Sequence, residues 1–519
     1  MTYELDSRVK NKRLLAHLVS LAGLLISFAS YALLSPSSAA TVSPPQAQSR
    51  VIIGATIVDG SGGPAFVSNV RIVGDRITQV GRFAARSGEV IIQARGLVVA
   101  PGFIDIHNHS ESALTSAPAV ASQVSQGITT LAVGPDGGSP WPIADYLARL
   151  EAKPAAVNVL AFVGHATVRQ QVMGKDYNRA ATKTEIADMA KLVEQGMREG
   201  AVGLSTGLEY DVGHPSTTEE VIELARAAAL RGGIYMSHVR DEADDVINAF
   251  KEAIRIGREA HIPVQISHIK LGTVGVWGQA EKAVQLINGA RHSGVDITAD
   301  CYPYDAWSST ITVLIPSRRH QDPVAVKRGF DDVGGPENVL VTSCRAHRDY
   351  EGRTLDEISR DQKVSPVDVY IQIVKDGGAG VVCRSMKESD IEIFYRQPWV
   401  MVASDGQPGG RHPRGAGTVT RVLGRFVRER KWLTLEEAVR KMTAAPALRL
   451  GLYDRGLIRE GMKADLVIFD PDRVIDRSTF KEPELLSTGI EYVFVNGEPV
   501  WEQNRVTERL PGKVIRKGN

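Results

Sequence analysis

The chain has 519 residues, 43% of them hydrophobic and 23% charged, enough apolar material for a large buried core. A formal net charge of +1 points to neither a nucleic acid nor an acidic partner. Three cysteines, Cys301, Cys344 and Cys383, are too few for a disulfide framework and form no Cys-x-x-Cys clip, so each reads as a small buried residue.

The first 40 residues have the order of a secretory signal. Arg8, Lys10, Lys12 and Arg13 precede an apolar run from Leu14 to Leu34, and the small residues Ser38 and Ala40 follow. Cleavage is expected after Ala40, giving an exported, periplasmic or secreted protein. The run is long for a signal, so an uncleaved membrane anchor is the alternative.

From Val51 to Ala100 short β-strands alternate with Gly and Asp turns. The C-terminal stretch repeats this style in "KADLVIFDP" and "IEYVFVNGEPVWEQN", with Asn496-Gly497 as a hairpin turn. Residues 41–100 and 451–519 are therefore expected to form one small β-sandwich domain built from both termini. Between them, residues 101–450 alternate strands and helices. The strand candidates are "GFIDIHNH", "ITTLAVGPDG", "VNVLAFVGH", "AVGLSTGLEY", "GIYMSHVRDE", "IPVQISHIK", "VDITADCYPYDA" and "WVMVASDG". They are short, apolar and often β-branched, as strands buried on both faces are. Helical patterns lie between most of them, such as "TKTEIADMAKLVEQGMREG" with Thr184 as its expected cap. Eight such units predict an α/β fold, a (β/α)8 TIM-like barrel, with a lid-like insertion at about 331–396.

The chemistry gathers where barrel sites gather, at the C-terminal ends of strands. Strand one ends in His107 and His109, strand two in Asp136 and strand four in Glu209. Strands five and six end in His238 and His268, and strand eight in Asp405. His107 and His109 point the same way because strand side chains alternate with period two. A lone strand-end histidine is usually a satisfied polar residue, and Asp before Gly is usually turn chemistry. Four of the twelve histidines and three carboxylates at the same end of successive strands form a divalent-cation site.

These residues resemble the amidohydrolase superfamily and, within it, the D-aminoacylases (N-acyl-D-amino-acid deacylases). "PGFIDIHNHSE", "HVRDE", "SHIK" and "ASDG" look like the family's first, fifth, sixth and last strand motifs. "YPYDAWSST", "DYEGRTLDEIS", "HPRGAGT" and "REGMKADLVIFDP" also match, so the likeness runs from about Val51 to the C-terminus. The resemblance implies one or two Zn2+ per chain. His107 and His109 would bind one ion, His238 and His268 the other, and Asp405 would touch metal or water as general base and acid. Lys270, Tyr302, Ser308 and Arg414 would hold the substrate, with help from Arg240. For Lys270 and Arg240 the competing reading is a structural ion pair at the barrel rim.

One position departs from the family. Where D-aminoacylases characteristically carry Val-Gly-Asn-Cys-Gly, with a metal-binding cysteine, this chain has Val133-Gly134-Pro135-Asp136-Gly137. No lysine ends strand four, but Glu209 does. Two carboxylates are thus candidate bridges, and Glu209 is favoured for its length and its place at the strand end. Asp136 would then orient a ligand or substrate.

The expected activity is metal-dependent hydrolysis of N-acyl-D-amino acids, or of peptides with a C-terminal D-residue. A divalent cation lowers the pKa of water from about 16 toward about 7. The partner is then a small molecule and not a nucleic acid. An isoaspartyl-type dipeptidase and a cyclic-amide hydrolase of the hydantoinase or dihydroorotase type are the rival enzymes. A catalytically dead binding barrel is the rival outside enzymology, and it would be expected to have lost its ligands.

Overall fold

A computed structural model describes residues 48–517. The expected secretory signal, residues 1–40, lies outside the described residues, as do 41–47 and 518–519. Among the described residues no helix is long and apolar enough to cross a membrane.

Eight strands form the barrel: Phe103–Asn108, Ile128–Val133, Asn158–Ala161, Gly203–Gly207, Ile234–His238, Val264–Ile266, Ile297–Cys301 and Val400–Val402. Neighbours pair in parallel. The third strand breaks at Phe162, so Asn158–Ala161 pairs with the second strand and the short Val163–Gly164 with the fourth. The ring closes between the last and first strands. There the Asp405 N–H donates to His107 O and the His109 N–H to Gly406 O, each at 2.9 Å. Nearly every strand residue is buried, as parallel strands wrapped by helices require.

Helix starts follow local chemistry. Lys183–Arg198 is capped by Thr182 and not by Thr184, because Glu185 stands three residues after Thr182 and completes a reciprocal capping box. Thr217 caps Thr218–Ala229 by accepting from the Glu220 N–H alone, without a reciprocal bond. The Glu220 side chain is itself fully buried. It lies 2.9 Å from His165 Nε2 and 2.6 Å from Arg169 Nη1, joining the helix after strand three to the helix after strand four.

The terminal segments share one nine-stranded sheet. Leu466–Phe469 from the C-terminal part pairs antiparallel with Val98–Pro101 from the N-terminal part. Ile52, Ile57, Val70, Ile72, Leu466, Ile468 and Phe494 fill its core. Asn496 and Gly497 both have positive φ, as a two-residue hairpin between Ile490–Val495 and Glu498–Glu502 requires. Buried Asp465 fastens this domain to the barrel, accepting from Asn158 Nδ2 at 3.0 Å, Arg455 Nη1 at 2.6 Å and Asn496 N at 2.6 Å.

The insertion starts earlier and ends earlier than 331–396. It runs over about 307–383 and contains the three-stranded sheet Trp307–Thr310, Gly380–Cys383 and Val339–Ser343, in that order. Its core is its own, built from residues such as Val326, Phe330, Val341, Ile358, Tyr370 and Ile373. Glu388–Tyr395, expected inside it, instead packs on the barrel helix Ala280–His292. The amphipathic helix patterns hid the boundary, because a helix on the insertion core and one on the barrel carry the same periodicity.

Glu220→Ala should lower stability by about 3–5 kcal/mol, since it leaves the Arg169 guanidinium buried without its carboxylate. Denaturant unfolding measures this, and metal content of the folded fraction should stay unchanged.

Candidate metal centre

The site is built where the strands end. Asp105, fully enclosed in strand one, accepts from Asn108 Nδ2 at 2.9 Å, Ser404 N at 3.0 Å and Ser404 Oγ at 2.5 Å. That network stitches strand one to strand eight and holds His107 and His109 beside Asp405. Asn108 lies in the barrel wall, as alternation requires, also contacting Gln123. Three site residues adopt left-handed backbone: Asp136 at φ 55°, His268 at φ 31° and Asp405 at φ 49°. Such conformations are uncommon for non-glycine residues and cluster at functional sites. Gly137 follows Asp136 at φ 80°, and a Cβ there would stand 2.8 Å from Gly207 N, so only glycine lets the loop approach strand four.

The side chains converge. His107 Nε2 is 3.3 Å from Asp136 Oδ2 and 3.4 Å from Asp405 Oδ1. His109 Nε2 is 3.4 Å from Asp136 Oδ2 and 3.2 Å from Asp405 Oδ1. His268 Nε2 is 3.5 Å from Asp136 Oδ2 and 3.0 Å from His238 Nδ1. Ligands about 2.1 Å from a tetrahedral cation stand about 3.4 Å from one another, so these separations are those of ligand atoms around an ion. Asp136 Oδ1 and both ring nitrogens of His107 are buried without a hydrogen-bond partner. Imidazole nitrogens with carboxylate oxygens suit Zn2+ and similar divalent cations, so the donor set fits a metal.

Carboxylates stand behind the rings. Glu209 Oε2 lies 2.9 Å from His238 Nε2, the nitrogen turned away from His268. Glu242 Oε1 lies 3.0 Å from His268 Nδ1. Asp300 Oδ1 lies 3.4 Å from His107 Nδ1 and accepts the His268 N–H at 2.7 Å. Such outer partners fix ring orientation and tautomer at metal sites. Burial alone would push the His107 pKa down, but the charges of Asp136 and Asp405 hold it well above the ordinary value. For His109 burial acts the same way, and its contacts with Asp136 and Asp405 raise it to about 9. Burial would raise Asp136 and Asp405. The charges of His107 and His268 pull Asp136 well below the usual carboxylate range, and Arg414, followed by the same histidines, does so for Asp405. A cation entering this set would displace protons from the rings.

A pocket opens beside the cluster, with Lys270, Tyr302, Ser308 and Arg414 on its wall. Arg414 Nη1 lies 2.6 Å from Asp405 Oδ2, and its guanidinium stacks 4.9 Å from the Tyr302 ring centre. Lys270 is clamped, with Nζ 2.6 Å from both Glu242 oxygens. Trp307, Val313, Leu314, Pro316 and Val333, all from the insertion, give the far wall its apolar character. Arg240 lies outside this wall, forked onto Glu252 at 2.8 Å, with Nη1 on His214 O. Its structural ion-pair reading is the one the geometry supports. Sequence reasoning passed over Glu242 and Asp300, although Glu242 lies in the quoted "HVRDE" motif, and Tyr210, whose ring centre is 4.4 Å from that of His238.

The amidohydrolase family model matches residues 90–501. The chain belongs to this family. It is 37% identical over 490 residues to the D-aminoacylase of Alcaligenes xylosoxydans xylosoxydans, covering 90% of this chain and 97% of that protein. It is 36% identical over 495 residues to the N-acyl-D-aspartate deacylase of the same organism, covering 90% and 95%. The N-acyl-D-glutamate deacylase of Bordetella bronchiseptica, solved with zinc and a phosphonate mimic of the tetrahedral intermediate, superposes with a TM-score of 0.83. That match is 34% identical and covers 91% of this chain and all of the other. The chain is thus a metal-dependent amide hydrolase with a TIM-type barrel and a β-domain.

Glu242→Gln should weaken metal binding about 10- to 100-fold by releasing the His268 ring and the Lys270 ammonium. Competition with a chelator reads this directly. Unchanged affinity would confine Glu242 to holding Lys270.

Proposed function

We propose that the protein hydrolyses N-acyl-D-amino acids, releasing a carboxylic acid and a free D-amino acid. The observation that carries this is the histidine and carboxylate cluster opening onto a cavity walled by Tyr302, Ser308 and Arg414. The relatives named for D-aminoacylase and D-aspartate deacylase activity support the hand of the substrate. One or two divalent cations, which His107, His109, His238, His268, Asp136 and Asp405 would hold, would supply carbonyl polarisation and a water of lowered pKa.

The chain's own groups do the rest. Arg414 presents a planar fork suited to the substrate carboxylate, with the Ser308 hydroxyl and Tyr302 beside it. This fixes which hand of the α-carbon turns its amide toward the cluster. Asp405 directs Oδ1 at the histidines and Oδ2 at Arg414. It takes the proton of the attacking water and returns it to the amide nitrogen as the C–N bond breaks. Glu242 holds Lys270 at the wall, beside His268. We also propose export, supported by the basic, apolar and small-residue order of residues 8–40.

Turnover of paired N-acetyl-D- and N-acetyl-L-amino acids by the zinc-loaded protein tests the reading. Release of amine from the D-series alone is expected, and turnover restricted to the L-series or to cyclic amides would overturn it. Asp405→Asn should lower kcat about 10²- to 10⁴-fold while leaving KM within a few fold. Among the described residues lining the cavity, Lys270 is already paired with Glu242, and Arg414, beside Asp405, is committed to the α-carboxylate. N-acetyl-D-leucine should therefore exceed N-acetyl-D-aspartate and N-acetyl-D-glutamate in kcat/KM by about tenfold or more, because the apolar wall leaves a second carboxylate uncompensated.

A further inference from the structure

Among the described residues three groups of donors occupy the barrel mouth, and one carboxylate belongs to the two richest in histidine. His107, His109, Asp136 and Asp405 form the first group, and Asp136, His238 and His268 the second. In each the Asp136 oxygen is Oδ2, at 3.3 and 3.4 Å from the first pair of histidines and 3.5 Å from His268. Glu209 has no such position. It meets His238 through Nε2, whereas Nδ1 of that ring faces His268, so Glu209 lies on the far side of the imidazole. Its own donor group contains only His238 and Glu242 besides itself.

We infer that Asp136 is the shared ligand of a two-ion centre that contains no sulfur donor. The inference rests on the metal-centre part of the function proposed above and corrects the preference for Glu209 drawn from side-chain length and strand position. Asp136 is delivered by its own backbone: the left-handed turn at φ 55°, seated between Pro135 and the tightly packed Gly137, aims the carboxylate between the histidine pairs. Asp136 Oδ1 is buried without a partner, so the second oxygen of the same carboxylate is also free to serve a cation. The three cysteines are buried away from both groups: Cys301 Sγ contacts Tyr302 O, Cys344 Sγ contacts Gly378 O and Cys383 lies in the insertion sheet.

The donor chemistry sets the ligand class. A thiolate favours soft and borderline cations, whereas imidazole with carboxylate admits harder ones such as Mn2+ alongside Co2+ and Zn2+. The family's cysteine at this position would select more narrowly and would be open to oxidation.

Metal binding measured with Co2+, Zn2+ and Mn2+ alone, without substrate, tests this. The wild-type protein should take up two Co2+ per chain and show no thiolate-to-cobalt charge-transfer absorption. Asp136→Cys should introduce that absorption and lower Mn2+ affinity relative to Zn2+ by about tenfold or more. Asp136→Asn should lose the second ion, whereas Glu209→Gln, which only frees the back of the His238 ring, should still bind two ions, at reduced affinity. Two ions bound at wild-type affinity by Asp136→Asn, or an Asp136→Cys protein without the cobalt band, would overturn the inference. So would loss of one ion in Glu209→Gln with none lost in Asp136→Asn. If Asp136→Asn fails to fold, the cobalt band of Asp136→Cys decides. A protein that binds two ions in this pattern but hydrolyses no N-acyl-D-amino acid would sink the proposed activity and leave this inference standing.

Discussion

The constraint that organises this molecule is the desolvation of a charged cluster at the mouth of the barrel. Asp136, Asp405, His107, His238 and His268 are buried, and His109 is only half-exposed. Water cannot stabilise these groups there, so the charges must be balanced by one another or by a cation. Much of the surrounding architecture answers that demand. Asp105 and Ser404 hold strand one to strand eight, Asp300 joins strand seven to His268, and Glu242 draws Lys270 into the wall. Remove the cluster and these buried polar residues would have little reason to be where they are.

Function is divided among the parts. The barrel supplies the donors on rigid strand ends, where a ligand atom can be held within a few tenths of an ångström. The insertion has a separate core and contributes the apolar far wall of the cavity, together with Ser308. Chemistry and substrate choice therefore sit on different elements. Changes in the insertion can alter which side chain fits without touching the histidines. The β-domain stands apart from the donors and is tied to the barrel through Asp465, Asn158 and Asn496, which makes its contribution one of support.

Much of the fold was legible in the chain. Eight apolar, β-branched runs separated by amphipathic helices read as a barrel because each strand is buried on both faces. The strand-end histidines stood out because they recur at the same end of successive strands. The insertion boundary was not legible, since Glu388–Tyr395 has the same apolar periodicity whether it covers the insertion core or the barrel. Glu242 is not legible in the chain, because a carboxylate four residues past His238 has the pattern of ordinary loop polarity, and only through space does it meet His268 and Lys270. Arg240 stands two residues after a ligand, yet its fork closes on Glu252.

The sequence by itself determined the ligand types, their order round the ring and hence the class of chemistry, because those follow from residue identity and strand periodicity. The tertiary structure alone decided which atoms meet. Whether Asp136 or Glu209 lies between the histidine pairs depends on a left-handed turn at one strand end and on the rotation of the His238 ring at another. Local patterns cannot encode that choice. It is made by distances across the barrel, between residues far apart in the chain, after all eight strands have closed.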